Sequence, residues 1–480
     1  MTPEIRHWLT LAALAWVATD AFGLEPEACR LSSPWLPAVT AECGELEVPE
    51  DPADSAGRKI RLFVARIPSH NAAPRPDPLV LIAGGPGQAA TDFYLTARGA
   101  FEHVRRDRDL IVLDQRGTGR SAPLECAIAA EALETAAPES LPGLMTRCLE
   151  DLDVDPRFYT TSVAVQDLER VRAALGIEAW NLYGISYGTR VAQHYTRRFP
   201  RRVRAVILDG VVPSDLAMGP AIAANAQRAL ELLLSRCSQE VSCAERFPGL
   251  ADRLGGLSNR LSAGPITIDL ADPLTGEVDR RTFSALHLKS VIRLMSYAPQ
   301  TVALLPLLIT EAHEGNFAPL AAQAYMMIAT LESSLSLPMH NSVVCTEDVP
   351  FFSAAPPGTE ATYLGGSIVE ALEAVCSVWP PGVLDPDLKA PLESDRPVLL
   401  LSGEADPVTP PAYGFRVIAH LGNARHIVGP GQGHGLAGVG CVPRLLRDFL
   451  SAADPAGVAA ACVRQEQPSP FFLDFTGPAP

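Results

Sequence analysis

The stretch Ala179-Trp180-Asn181-Leu182-Tyr183-Gly184-Ile185-Ser186-Tyr187-Gly188 decides how the rest of the chain is read. Its first half is a short, mostly apolar run without strict alternation, the pattern of a strand covered on both faces. Its second half, Gly184 to Gly188, is Gly-x-Ser-x-Gly. A serine lifted on a sharp turn from strand to helix needs glycines on either side, because side chains there would strike the neighbouring backbone. The following residues, Tyr187–Phe199, read as an amphipathic helix. Strand, Ser186 and helix together form a nucleophile elbow.

Similar apolar runs lie on both sides of it. Leu79–Ala83 stops at Gly84-Gly85-Pro86-Gly87, Leu110–Leu113 stops at Asp114, and Val203–Leu208, Val398–Leu401 and Arg425–Val428 follow. Leu46–Val48 and Ile60–Ala65 read as a hairpin or meander before them. Val163–Leu175 has helical spacing, with Thr161 or Ser162 as N-cap and Gly176 as stop. Buried strands alternating with helices predict a doubly wound, mostly parallel α/β sheet. From Ser214 to Pro391 that rhythm gives way to helix-forming stretches: Ala221–Arg236, Ser284–Tyr297, Val302–His313, Leu320–Leu335 and Ile368–Cys376. The division expected is therefore a leader over 1–23, the first part of the sheet over 24–213, a helical cap over 214–395 and the second part of the sheet over 396–480.

A serine hydroxyl attacks only when a base takes its proton, so an acid and a histidine should follow in that order. Asp406 stands just past the Val398–Leu401 strand, at the carboxyl edge where Ser186 is expected; Glu404 is its competitor. His434 lies between glycines in Gly433-His434-Gly435, after the last strand, and is the candidate base. His426 falls within that strand and His194 on the helix after the elbow, where packing or surface roles fit better. The oxyanion donors expected are the backbone N–H of Tyr187 and that of Gly87 or Gln88, since Pro86 has none.

Composition narrows the partners. The chain is 47% hydrophobic and 20% charged with a net charge of −16, which disfavours nucleic acid. Arg197, Arg198, Arg201, Arg202 and Arg204 form one basic cluster, read as an exposed turn. Arg6 and His7 before an apolar run from Trp8 to Ala18, then Ala21-Phe22-Gly23, match a secretory signal, and no later run is long enough to span a bilayer. Export, to the periplasm or beyond, and disulfides are expected. The ten cysteines fall in near pairs, and sequential bonding is the simplest arrangement. No Cys-x-x-Cys, His-Glu-x-x-His, P-loop or dinucleotide motif occurs, so neither metal nor cofactor is expected.

Taken together, Gly84–Gly87, Asp114-Gln115-Arg116-Gly117-Thr118-Gly119-Arg120-Ser121, Gly184–Gly188, Gly403-Glu404-Ala405-Asp406-Pro407-Val408-Thr409-Pro410 and Gly433–Gly435 resemble the proline iminopeptidase-like serine peptidases, especially their exported tripeptidyl-aminopeptidase-like branch. The resemblance implies an α/β-hydrolase fold with an inserted cap, and an aminopeptidase acting on peptides with a free N-terminus through an acyl-enzyme. One position departs: Ala83 stands where relatives of the iminopeptidase type carry His, which weakens transfer of proline specificity. Asp114 and Arg116 read as a pair bracing their turn. Glu347 and Asp348, in a motif similar to one in the exported relatives, are the candidates for holding a substrate ammonium; an exposed acidic loop is the plainer reading of the same residues. A carboxylesterase with the same triad, and a binding protein on the same scaffold, are the alternatives.

Overall fold

The computed structural model describes residues 26–33, 36–128, 138–271 and 275–478; the expected leader lies outside them. Seven strands lead the sheet: β1 (Glu27–Ser33), β2 (Leu36–Pro49), β3 (Lys59–Ile67), β4 (Leu79–Ile82), β5 (Leu110–Leu113), β6 (Trp180–Ile185) and β7 (Val203–Asp209). An outlying hairpin, β8 (Ile266–Ala271) with β9 (Val278–Phe283), precedes β10 (Val398–Gly403) and β11 (Ala424–Gly429). The nine-stranded sheet has the order β1-β2-β3-β5-β4-β6-β7-β10-β11. From β5 onward all neighbours are parallel; β1, β2 and β3 pair antiparallel. Every residue of β4, β5 and β10 is buried, the reason these runs are apolar without alternation.

The chain steps from β4 to β5 on one side and returns to β6 on the other. Such a reversal opens a crevice beyond the carboxyl ends of the two diverging strands. Gly84–Gln88 leaves β4 there, and Ser186 leaves β6 there.

The segment between β7 and β10 contains Ile222–Gln239, Val241–Arg246, Leu250–Ser262, Ala285–Met295, Leu305–His313, Ala318–Ser334, Leu337–Glu347 and Ser367–Cys376 as helices. Most of them pack on a core of their own around Leu230, Phe247, Met295 and Leu308. Three features depart from the sequence reading. The hairpin β8–β9 lies within a segment expected to be a helical cap. Helix Leu337–Glu347 belongs to the sheet as much as to the cap, since Met339 and Val343 join the sheet's core. Phe471, expected with the sheet, packs into the cap's core instead. Both exchanges bury apolar side chains that the nearer layer has no room to cover.

Five disulfides join Cys29–Cys43, Cys126–Cys148, Cys237–Cys243, Cys345–Cys376 and Cys441–Cys462, the sequential arrangement. Among the described residues no helix is long and apolar enough to cross a membrane.

Candidate active site

Ser186 has φ 54° and ψ −124°, a strained conformation for a residue with a side chain. The surrounding contacts hold it. A methyl group at Gly184 would lie 2.3 Å from the Gly188 carbonyl oxygen, and one at Gly188 would lie 2.4 Å from that of Ile82. The elbow glycines are thus fixed by close backbone approach. The Ser186 N–H donates to the Asp209 carbonyl at 2.9 Å, tying the elbow to β7.

Asp406 and His434 meet beside it. The His434 Nδ1 to Asp406 Oδ2 distance is 2.8 Å, with the carboxylate fully buried and the ring 9% exposed. Asp406 also accepts from Val408 N–H and Thr409 N–H at 2.8 Å and from the Thr409 hydroxyl at 2.7 Å. Burial opposes ionisation of Asp406, but the His434 charge and these hydrogen bonds outweigh it and hold the carboxyl below its usual range. Burial likewise opposes protonation of His434, and Asp406 and Asp209 outweigh it, so the imidazole is raised above its ordinary value. Glu404, the competitor, faces away and accepts from Gly431 N–H.

His434 is carried on a loop that Asp209 anchors. The buried Asp209 carboxylate takes Leu436 N–H and Ala437 N–H at 2.8 Å and the Tyr183 hydroxyl at 2.8 Å. One residue therefore registers both Ser186, through its carbonyl, and the His434 loop, through its side chain. Nothing in the local pattern of residues marks this role beyond the place of Asp209 at a strand end. The Ser186 hydroxyl donates to no described residue, so its link to His434 is not made in this arrangement.

Tyr187 opens the helix Tyr187–Arg198, where an N–H has no intrahelical acceptor. Gln88 folds back on its own loop: its N–H reaches the Gly84 carbonyl at 3.4 Å and its side chain accepts from Gly84 N–H. Gly87, at φ 102°, gives its carbonyl to Ser336 N–H.

Two expectations are corrected. Arg116 does not pair with Asp114; it forms a fully buried fork with Asp167 at 2.6 and 2.9 Å, while Asp114 takes Thr91 and Arg120 N–H. Glu347 and Asp348 form neither an exposed loop nor an open anion. Both are completely buried at the end of the helix Leu337–Glu347. Asp348 is forked by Arg190 at 2.8 and 3.1 Å and touched by Met218 N–H and Lys389. Glu347 accepts Thr161 N–H at 2.7 Å and the Thr161 hydroxyl at 2.8 Å. It thereby caps the helix Thr161–Ala174, whose N-cap Thr160 makes no side-chain capping bond and donates its hydroxyl to the Val383 carbonyl instead. Burial opposes ionisation of both. Arg190 reaches Glu347 only at 3.5 Å, so burial prevails there and raises it, whereas the fork prevails at Asp348 and lowers it. The Tyr187 hydroxyl bonds Thr161 as well, so this sealed cluster braces the elbow from behind.

His194, Asp385 and Asp387 bring potential ligand atoms within 4.8 Å of one another. His194 already spends Nε2 on Asp385 and Nδ1 on Arg197, and Arg198 flanks both carboxylates, so arginine cations stand where a metal would.

Residues 77–242 match the family model described as alpha/beta hydrolase fold, and residues 362–462 match the one described as TAP-like protein. The tripeptidyl aminopeptidase of Streptomyces coelicolor is 30% identical over 219 residues, 42% of this chain and 40% of that protein. Serine protease Hip1 of Mycobacterium bovis is 29% identical over 242 residues, 43% of this chain and 46% of its own. The proline iminopeptidase of Neisseria gonorrhoeae is 32% identical over 144 residues, 29% and 35%. The chain thus matches less than half the length of these relatives. Elbow, sheet order and matches agree: the chain has the α/β-hydrolase fold, and parts of it are similar to the tripeptidyl aminopeptidases and proline iminopeptidases.

Proposed function

We propose that the chain is a serine peptidase in which Ser186 attacks the scissile carbonyl, His434 takes its proton and Asp406 holds the imidazole. The observation that carries this is the Asp406–His434 pair set beside a serine in the strained elbow conformation. His434 Nδ1 donates to Asp406, which leaves Nε2 as the base and stabilises the imidazolium formed on attack. The open link between Ser186 and His434 is one that closes as substrate binds. Collapse of the tetrahedral intermediate breaks the bond to the leaving amine, which takes the proton from His434, and leaves an acyl-enzyme that water hydrolyses by the same base. The N–H groups of Tyr187 and Gly87 would hold the oxyanion; Gln88, whose N–H is turned to Gly84, is the weaker second candidate.

The names of the relatives favour an aminopeptidase that releases residues or short peptides from free N-termini. The five disulfides fit an exported enzyme. The carboxylesterase reading gains from the burial of Glu347 and Asp348, which removes the expected amine anchor. Fluorophosphonate labelling tests the common core: wild type should label and Ser186→Ala should not, and an unlabelled wild type would end the hydrolase reading. Peptide anilides with free and acetylated N-termini, beside nitrophenyl esters, then separate the two activities. Equal rates on free and blocked peptides would rule out the aminopeptidase.

A further inference from the structure

Three polar groups on the cap wall above the Asp406–His434 pair are left without partners. Arg228, on helix Ile222–Gln239, gives one N–H to the Asp406 backbone carbonyl at 3.2 Å, and its Nε is buried with no acceptor. Arg293, near the end of helix Ala285–Met295, has a second buried Nε with no acceptor. Its guanidinium carbon lies 6.0 Å from the centre of the Tyr297 ring, which packs edge-on to the His434 imidazole at 5.1 Å between centroids. The third group is the buried Tyr363 hydroxyl. The Tyr363 N–H donates to the Gln227 side chain, on the helix that carries Arg228. The Arg293 charge reaches both the His434 ring and the Tyr363 hydroxyl.

Among the described residues, neither Arg228 nor Arg293 has a carboxylate within ion-pair distance. The fully buried arginines differ in each having a carboxylate: Arg108 pairs with Asp77, Arg116 with Asp167 and Arg190 with Asp348. In a chain of net charge −16, half-buried guanidinium groups without a carboxylate beside the proposed reacting centre need a reason. A buried donor without an acceptor is unfavourable. All three groups can donate, both guanidinium groups are cationic, and a planar guanidinium matches the two oxygens of a carboxylate.

Resting on the hydrolase reading above, we propose that Arg293, with Arg228 and the Tyr363 hydroxyl, recognises a carboxylate of the substrate close to the bond that is cleaved. That carboxylate belongs either to an acidic side chain or to a free C-terminus; the chemistry of recognition is the same. A negative charge docked there neutralises the cap wall, supplies the missing acceptors and fixes the substrate over Ser186.

The test uses substrates of the full chain in matched pairs differing by one charge. Asp against Asn and Glu against Gln are placed at successive positions on both sides of the scissile bond, and peptides with free C-termini are set against amidated ones. Each pair is also prepared as nitrophenyl esters where the chemistry allows. One pair should show kcat/KM about tenfold or more in favour of the acid, and which pair responds identifies the source of the carboxylate. Arg293→Met should bring that ratio to about one, and Arg293→Lys should restore part of it. Fluorophosphonate labelling of each variant checks that the site is assembled. Equal rates within every pair, or a preference that survives both Arg293→Met and Arg228→Met, would overturn the proposal. If labelling of Ser186 persists in that case, only the carboxylate reading falls; if wild type does not label at all, the hydrolase centre falls with it.

Discussion

Two carboxylate–cation pairs lie on opposite sides of the elbow, and they are built to different ends. Asp406–His434 sits at the crevice: the acid is buried, while the imidazole reaches the surface and belongs to the one side chain whose charge ordinarily changes in the physiological range. Asp348–Arg190, with Glu347, is sealed from solvent on every member, and its cation does not titrate there. On the proposed mechanism the first pair changes its charge during the reaction. The second is fixed, and through Thr161 and Tyr187 it holds the elbow in place. An acidic residue next to a motif is therefore not evidence of chemistry until its partner and exposure are known.

If that contrast holds, substitutions should separate activity from stability. Asp406→Asn should lower kcat by about 10⁴-fold, by favouring the wrong imidazole tautomer, with little loss of fold; steady-state rates beside thermal unfolding would check both. Arg190→Met should do the opposite. It strands Asp348 in the interior and should cost about 3–5 kcal/mol in denaturant unfolding, enough to compromise folding, while any folded fraction still labels at Ser186. A Cys345→Ala, Cys376→Ala double variant removes the disulfide next to the sealed pair and should cost about 2–4 kcal/mol without changing relative rates among substrates.

The smallest effects sharpen the comparison further. Glu347→Gln should change stability by no more than about 1 kcal/mol, because burial already disfavours its charge and an amide oxygen can still accept from Thr161. The ratio of rates on free and acetylated peptides should not move; a selective loss on free N-termini would return Glu347 to substrate binding. In the open pair, His434 must be neutral to act, and its raised pKa places the acid limb of kcat/KM above about 6.5. Asp406 and Asp209 raise it and Arg293 lowers it. Arg293→Met should therefore move that limb upward. Asp209→Asn should move it downward, and a limb that stays put in both would show that these charges do not reach the ring.

Much of the site could be read from residues near one another in sequence. Gly184–Gly188 carries its own explanation, since the clashes that a methyl group would meet at Gly184 and Gly188 are with backbone a few residues away or on the adjoining strand. The apolar runs of β4, β5 and β10 imposed a buried parallel sheet, and its carboxyl edge was then the only place where Ser186, Asp406 and His434 could be expected together. Periodicity also outlined most of the cap helices, from Ile222–Gln239 to Ser367–Cys376.

What the sequence by itself determined, then, was the α/β class, the elbow and the order of nucleophile, acid and base. These rest on strand burial and backbone sterics, which act over a few residues. Only the tertiary structure decided that Glu347 caps a helix begun 186 residues earlier, that Arg116 turns to Asp167 rather than Asp114, and that Asp209 ties the elbow to the His434 loop. It also decided that Arg228 and Arg293 stand over the site unpaired. The reason is physical: an ion's partner and its exposure depend on which distant segments exclude water around it, and no local pattern of residues encodes that.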